Sequence, residues 1–449
     1  MRGAAWRWLW MLAVAWAAWA AHARAEGRPL TLDEALELAL RDGPLVRAGG
    51  FAVRAAEERE GLARTGYYPS LTAAASYARQ TGNMTPRPGL LPATFTLADP
   101  KDTSYNVYNF SLTLAQPVYD FGRTAGAAEQ AGAAVDAARA DLAARRLATW
   151  YEVVVRFYGV LAADEMAGVA RRARDQARVH AERARSLFAA GARPRIDVVR
   201  TEADFQGAEA ALLGALDEVT VARVALLAAM GVRQAFEFEP VRPPEPPDAD
   251  GPATLVAAEE GAVGDALAAR PERKAQVARI SGQDAAARTA RASLWPSLAV
   301  AASFTDAGVS LGAWRYWNWA VGLTLSAPLL AAFPALHQAR EAEALAAGLR
   351  ATLDGTDALI RAEVLQAVAR LRDARAKLVP VGAALEAARE ALHLAEGRYH
   401  AGSGDYVELL DAQAAAANAE AALVRARLDV AVAWAAWRRA MGRGPEEAP

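Results

Sequence analysis

Trp317-Asn318-Trp319-Ala320-Val321-Gly322-Leu323-Thr324-Leu325-Ser326 alternates without a break. Trp317, Trp319, Val321, Leu323 and Leu325 point one way, and Asn318, Ala320, Gly322, Thr324 and Ser326 point the other. A period of two is the mark of an extended strand, and the difference between its faces sets that strand between two different solvents. Three other stretches carry the same signal. Leu71, Ala73, Ala75 and Tyr77 share one face of the first, and Tyr108, Phe110, Leu112 and Leu114 share one face of the second. The third contains Leu298, Val300, Ala302 and Phe304. The expected extents are residues 67–80, 105–116, 296–306 and 315–327. These lengths suit the ~9–11 residues of a tilted membrane-crossing strand.

Working outward, the chain is written twice. Pro117, Gly191, Met230 and Gly231 recur 211 positions later as Pro328, Gly402, Met441 and Gly442. Pro44, Pro69, Ser70 and Leu71 recur 227 positions later as Pro271, Pro296, Ser297 and Leu298. The difference of 16 falls between Pro69 and Pro117, in a first hairpin loop from Thr81 to Ser104 that is far longer than the second, around Asp306 to Arg315. A duplication this strict implies elements whose lengths cannot drift, as in the parallel struts of one tube. Pro69, Pro117, Pro296 and Pro328 bracket the hairpins where helix gives way to strand and back, because proline neither donates to a ladder nor continues a helix.

The rest of the pattern is Ala-rich and helical. Thr31 and Glu34 form a capping box, a second helix runs from Pro44 to about Arg64, and the longest helical pattern runs from Gly122 towards Phe188. Leu147, Tyr151, Val154, Tyr158 and Leu161 make a heptad seam beside a second one of Trp150, Val153, Phe157 and Val160. Val364, Val368, Leu371 and Leu378 keep the same phase in the second copy. Two adjacent seams fit a stave packed on both sides, and equally a helix buried in a bundle; the great length favours the stave. The domain plan is therefore a leader at 1–25, a first repeat at 26–235, a linker or equatorial segment at 236–261, a second repeat at 262–443 and a tail at 444–449.

Composition closes off several functions. The formal charge of −2 offers no field for nucleic acid. With no cysteine there is no disulfide framework, thiolate metal site or thiol nucleophile. Arg2 and Arg7, an apolar core from Trp8 to Ala21, and Ala23-Arg24-Ala25 read as an export signal. No later apolar run is long enough for a spanning helix, so any membrane residence must be as strands. Four strands cannot close, and an open sheet in hydrocarbon leaves edge amides and carbonyls unpaired. Several copies must share one barrel; three copies would supply twelve strands. The competing picture is a pair of soluble hairpins resting on helices.

The chain resembles the TolC-type outer membrane efflux proteins, the outer membrane factor family. The resemblance is carried by the junctions Gln116-Pro117-Val118-Tyr119-Asp120-Phe121-Gly122-Arg123 and Ala327-Pro328-Leu329-Leu330, with Tyr68-Pro69-Ser70-Leu71 and Trp295-Pro296-Ser297-Leu298. The hairpin tips, Phe188 to Val199 and Arg398 to Gln413, add to it. It implies a mainly α protein with a small β part: long antiparallel coiled-coil helices in a trimeric α-barrel, and four strands per chain in a shared twelve-stranded outer-membrane barrel. It also implies a homotrimer in outer membrane lipid, extending into the periplasm and serving as passive exit duct. The implied partners are a periplasmic adaptor (membrane fusion protein) and an inner-membrane pump of the RND, ABC or MFS type. Enzymatic activity and cofactors are not part of that picture.

The tips are the candidate gate. Gly191, Gly402 and Gly404 mark the turns, and Asp197 and Glu408 occupy the same repeat position, with Asp411 one turn further on. In the family, acids matching Glu408 and Asp411 ring the entrance, where converging carboxylates favour cations. Each acid also suits a helix N-terminus facing the macrodipole. Where relatives carry a basic partner this chain has Gly404, leaving Arg193, Arg195 or Arg200 as substitutes. His393 and His400 lack further ligands at metal spacing. A non-pore periplasmic coiled-coil scaffold bridging envelope layers is the alternative function, and the Trp-bearing strand argues against it.

Overall fold

The computed structural model describes residues 28–81, 104–191, 194–232, 236–244, 259–308, 316–328, 332–401, 403 and 406–444. The expected leader, Gly402, Gly404, much of the first hairpin loop and most of the linker lie outside these residues. In chain order the first half forms β1 (Arg28–Leu30), α1 (Leu32–Asp42), α2 (Pro44–Arg64), β2 (Ser70–Thr81), β3 (Ser104–Tyr119), α3 (Arg123–Ala189) and α4 (Arg195–Ala229). Then come β4 (Phe238–Pro240), α5 (Glu259–Ala269), α6 (Pro271–Ala292), β5 (Ser297–Gly308), β6 (Tyr316–Ser326), α7 (Ala332–His400) and α8 (Tyr406–Ala440). None of the described helices is long and apolar enough to cross a membrane. The longest helix is α7 at 69 residues, not α3 at 67 as the pattern had indicated, because Pro380 sits inside α7 without ending it.

The chain divides into two compact units. One, Ala52–Arg139 with Ala275–Leu353, holds a four-stranded antiparallel sheet in the order β2-β3-β5-β6. Its register keeps the faces in phase across every strand. Leu71, Leu114, Ala302 and Val321 stand in one row, and Thr72, Thr113, Ser303 and Ala320 in the next. A slip by one residue at any seam would mix the two sets, so the patterning itself fixes the pairing. The apolar row ends are open: Leu71 and Leu325 are each 70% exposed.

Two boundaries differ from the sequence expectation. Pro117 is not the end of its strand. β3 continues to Tyr119, and its ladder with β5 shifts between Pro117 and Tyr119 because a ring nitrogen has no proton to give. The turn into α3 is instead made by Asp120, Phe121 (φ 56°) and Gly122 (φ 91°). The Asp120 carboxylate accepts from Gly122 N (3.0 Å) and Thr124 N (2.7 Å), capping the helix. Pro69 and Pro296 do immediately precede β2 and β5, and Pro328 follows β6 by two residues. The second difference concerns Asp306, expected as the last residue of its strand; the strand runs on to Gly308. Asp306 lies inside β5 opposite Phe110 and Trp317, on the Trp-bearing face, at 6% exposure. Below the sheet, Phe121 stacks on Trp295 (5.4 Å between centroids) and meets Tyr119 edge-on (4.8 Å).

Ala residues let the helices of this unit approach closely: Ala133, Ala285, Ala339 and Ala346 are buried. Surface ion pairs such as Arg139–Glu57 (2.8 Å) and Arg350–Asp284 (2.7 Å) flank them.

The other unit is Met1–Phe51, Ala140–Lys274 and Asp354–Pro449. The capping box at the start of α1 is present, with Glu34 N donating to Thr31 Oγ1 (3.2 Å) and Thr31 N to Glu34 Oε2 (3.3 Å). α1 buries Ala35, Leu36 and Ala39 against the α3 residues Trp150, Val153, Val154, Phe157 and Val160. The parallel pair β1–β4 closes that core through Phe238, 1% exposed, so the stretch expected as linker starts as strand. Val364, Val368 and Leu371 centre a second core with Val263, Ala266, Trp437 and Met441. The two seams are thus unequal: the Trp150 seam is fully buried, whereas Tyr151, Tyr158 and Leu161 are partly buried.

One joint appears in both repeats. Gly231 and Gly442 both have φ 71°, each ending a helix in the left-handed region. A Cβ on Gly231 would stand 2.3 Å from Pro44 Cδ, and one on Gly442 3.2 Å from Arg270 N, just before Pro271. The helix-ending glycine of each repeat rests on a joint that leads into a proline-started helix, on Gly43 and Pro44 for Gly231 and on Ala269 and Arg270 for Gly442.

Candidate functional site

The two helical hairpins, α3–α4 and α7–α8, end in short turns within one unit. At the first, Gly191 adopts φ 72° and its N–H donates to Phe188 O (2.9 Å), the left-handed stop that the sequence marks. Pro194 then enters α4, and Asp197 lies in its first turn with its N–H donating to Pro194 O (3.2 Å). Negative charge there complements the exposed amides of the helix start. At the second tip, Ser403 N donates to Arg398 O (3.1 Å), and α8 begins at Tyr406 with Glu408 in its first turn.

Glu408 is engaged. Arg398 Nη1 donates to its Oε1 at 2.5 Å. The cation facing this acid comes from the last turn of α7; of the expected substitutes, Arg193 lies outside the described residues. The position across a tight turn, ten residues before Glu408, was the available signal. Asp411 is exposed and Asp197 is half-buried. Gly402 and Gly404, the other expected turn residues, lie outside the described residues.

Behind the turns, α8 is tied to each of the other three helices. Tyr406, only 6% exposed, donates its hydroxyl to Asp204 Oδ2 of α4 (3.1 Å). Burial pushes that hydroxyl's ionisation up, and the neighbouring Asp204 charge adds to the effect, with Tyr399 and Asp197 contributing less. The Tyr399 and Tyr406 rings stand 6.0 Å apart. Gln413 Nε2 meets His180 Nε2 of α3 at 2.6 Å. Further along, Glu420 accepts from Arg172 of α3 (2.8 Å) and from Arg389 of α7 (3.1 Å). Burial opposes the charge on Glu420, but the two guanidinium groups outweigh it and hold the carboxyl below its ordinary value. Arg185 and Glu202 join α3 to α4.

Of the expected turn glycines, Gly191 lies within the described residues, and sequence reading missed Tyr406, Asp204, His180 and Glu420. Each of these is an ordinary residue of a helical pattern, and only the packing of the hairpins makes it a link. Among the described residues, no cluster of three or more histidine, aspartate or glutamate side chains is arranged to hold a metal ion.

The mainly helical fold with its small sheet agrees with the comparisons. The family model for outer membrane efflux proteins matches residues 35–232 and 262–443. The chain belongs to this family. Protein CyaE of Bordetella pertussis is 30% identical over 398 residues, covering 86% of this chain and 78% of that protein. Among solved structures, the outer-membrane channel OprN superposes with a TM-score of 0.76 at 22% identity, covering 92% of this chain and 90% of that one. VceC of Vibrio cholerae gives 0.75 at 20% identity, covering 92% and 96%. At such identities the likeness is one of fold. Family membership makes this an outer-membrane protein that extends into the periplasm and acts in efflux or secretion as an exit channel; the family is one of channels rather than enzymes.

Proposed function

We propose that three copies of this chain form the passive exit duct of a tripartite efflux or type I secretion system. Their four-stranded sheets join in one twelve-stranded barrel, and their helical hairpins form the periplasmic tunnel. A periplasmic adaptor couples the duct to an inner-membrane pump of the RND, ABC or MFS class, which supplies the energy. The observation that carries this reading is the sheet itself: four strands in phase, apolar on one face and polar on the other, with both outer strands exposed. In hydrocarbon each unpaired edge amide or carbonyl costs several kcal/mol. Sister chains remove that cost by completing the cylinder, whose polar face then lines water.

The gate follows from the tips. Asp197, Glu408 and Asp411 stand at the periplasmic entrance, and three-fold symmetry gathers their charges around the axis. Arg398 restrains Glu408, while Tyr406, Gln413 and Glu420 hold the second hairpin against the first. Opening separates the hairpins and breaks those links. Conductance of the purified protein in planar bilayers tests the assignment, wild type against a Glu408→Ala/Asp411→Ala variant. Loss of cation preference is expected; unchanged preference and conductance would remove the acids from the gate.

A further inference from the structure

We propose that the outer end of the apolar sheet face binds the primary ammonium of a lipid headgroup, with Asp306 as its acceptor and the rings of Phe110 and Trp317 as its walls. The site rests on the exit-duct reading, which sets this face against lipid.

Charge is scarce in the sheet. Of the residues in β2, β3, β5 and β6, only Arg79 and Asp306 are charged. The register puts both on the apolar face, Arg79 in line with Tyr77 on β2 and Asp306 opposite Phe110 and Trp317. Arg79 is exposed, as befits a charge at a membrane surface. Asp306 is the reverse. It is 6% exposed, and no described residue supplies a hydrogen bond to its buried Oδ1. Both directly opposed side chains are aromatic. A carboxylate shut away from water without a donor loses its hydration and gains no interaction to replace it. An apolar side chain at this position carries no such cost, so the acid marks a place where the donor comes from outside the chain.

The height of Asp306 along the sheet narrows the source of that donor. Pro296 and Pro328 join β5 and β6 to helices at one end of the sheet, and the helices extend into the periplasm. Asp306 stands towards the other end, nine residues along β5 from Ser297. At ~3.3 Å per residue this is about 30 Å of strand, and a tilt of ~35–45° leaves about 23 Å of height. The apolar band of a membrane barrel is ~25 Å tall, so the carboxylate lies at its outer margin, where headgroups begin. Aromatic rings gather at that level, Trp317 beside Asp306 and the Tyr77–Tyr108 pair (5.1 Å between centroids) on β2 and β3.

The surroundings also select the kind of cation. A divalent metal ion takes about six oxygen ligands, and among the described residues no three acidic or histidine side chains converge to hold one. An ammonium needs one strong acceptor and is drawn to ring faces within ~6 Å. Phe110 is half-buried and forms the floor of the site. Trp317 is 62% exposed, so its ring is free to change rotamer and admit a headgroup from the lipid side. One N–H of the ammonium donates to Asp306 Oδ1, and the rings face the remainder of its charge. A quaternary ammonium has no N–H to donate and keeps only the ring contacts, while a glycerol headgroup brings no cation at all.

Native mass spectrometry of the full-length protein tests the site. The protein is released from detergent micelles doped in turn with phosphatidylethanolamine, phosphatidylcholine or phosphatidylglycerol of the same acyl chains. Wild type is expected to retain phosphatidylethanolamine several-fold more than either of the others. Asp306→Asn is expected to lose that preference while melting no lower than wild type, because it removes a buried charge without a partner. Equal retention of the three lipids by wild type overturns the site, and so does an undiminished preference in Asp306→Asn. Phosphatidylcholine retained as well as phosphatidylethanolamine assigns recognition to the rings alone and overturns the role of Asp306. The wild-type series decides the matter whether or not the variant folds. A full-length protein that stays dissolved without detergent and carries no lipid of any class brings down the exit-duct reading itself, an outcome distinct from loss of this one site.

Discussion

Arg398 is the residue on which the tip turns. It supplies the cation for Glu408 in a chain that has Gly404 where a basic residue was sought. Replacing Arg398 with Gln leaves the carboxylates unrestrained, and their repulsion favours separation of the hairpins. Single-channel recordings are expected to show conductance several-fold above wild type, with folding unaffected because the pair is half-exposed. Glu420 gives a pH signature. Its carboxyl is held below the ordinary 4.5, so the folded state binds fewer protons than the unfolded one near that pH. The stabilisation is present above about pH 4.5 and is lost as the pH falls through the lowered value. Glu420→Gln is expected to cost about 1 kcal/mol at pH 7, and the gap in thermal unfolding midpoint should close in acid. Asp197 and Glu408 stood out in the sequence because they occupy one repeat position, 211 apart. Arg398 and Tyr406 were not, since nothing in a helical pattern distinguishes a side chain that reaches a neighbouring helix from one that meets water.

At the level of elements, periodicity was a reliable guide and termini were less so. The in-phase alternation of Trp317 to Ser326 specified β6 almost to its ends. Pro117 was misleading because a bulge lets a strand run past a proline, and the true stop is the Asp120 cap with two left-handed residues after it. Burial of the Trp150 seam follows from a short helix, α1, and a two-stranded ladder that the pattern of α3 alone does not reveal. Phe157 is 0% exposed, and Phe157→Ala is expected to destabilise by about 3–5 kcal/mol, read by circular dichroism melting. The duplicated joint makes a paired prediction. Gly231→Ala forces a Cβ onto Pro44 and into a left-handed conformation, and Gly442→Ala meets the same strain with a looser contact. Both should lower the melting point, Gly231→Ala by more, each by at least the ~1–2 kcal/mol of the left-handed penalty.

For the whole molecule, the duplication was the decisive reading. Two displacements, 211 and 227, pointed to a strict duplication of elements, and the pairing within the two hairpins obeys them. Composition alone could not have told this apart from an Ala-rich bundle. The number of copies is a property of closure rather than of any one residue, which is why the sequence could only require partners. The oligomer is expected to survive mild detergent and to dissociate on heating, as a mobility shift on gels would show.

The exposed flanks of β2 and β6 carry a genetic consequence. A subunit whose β6 is broken by proline still offers an intact β2, so it can enter a nascent ring and leave it unsealed. Such an allele should therefore act dominantly, poisoning wild-type sisters made in the same cell, whereas an allele that abolishes synthesis should be recessive.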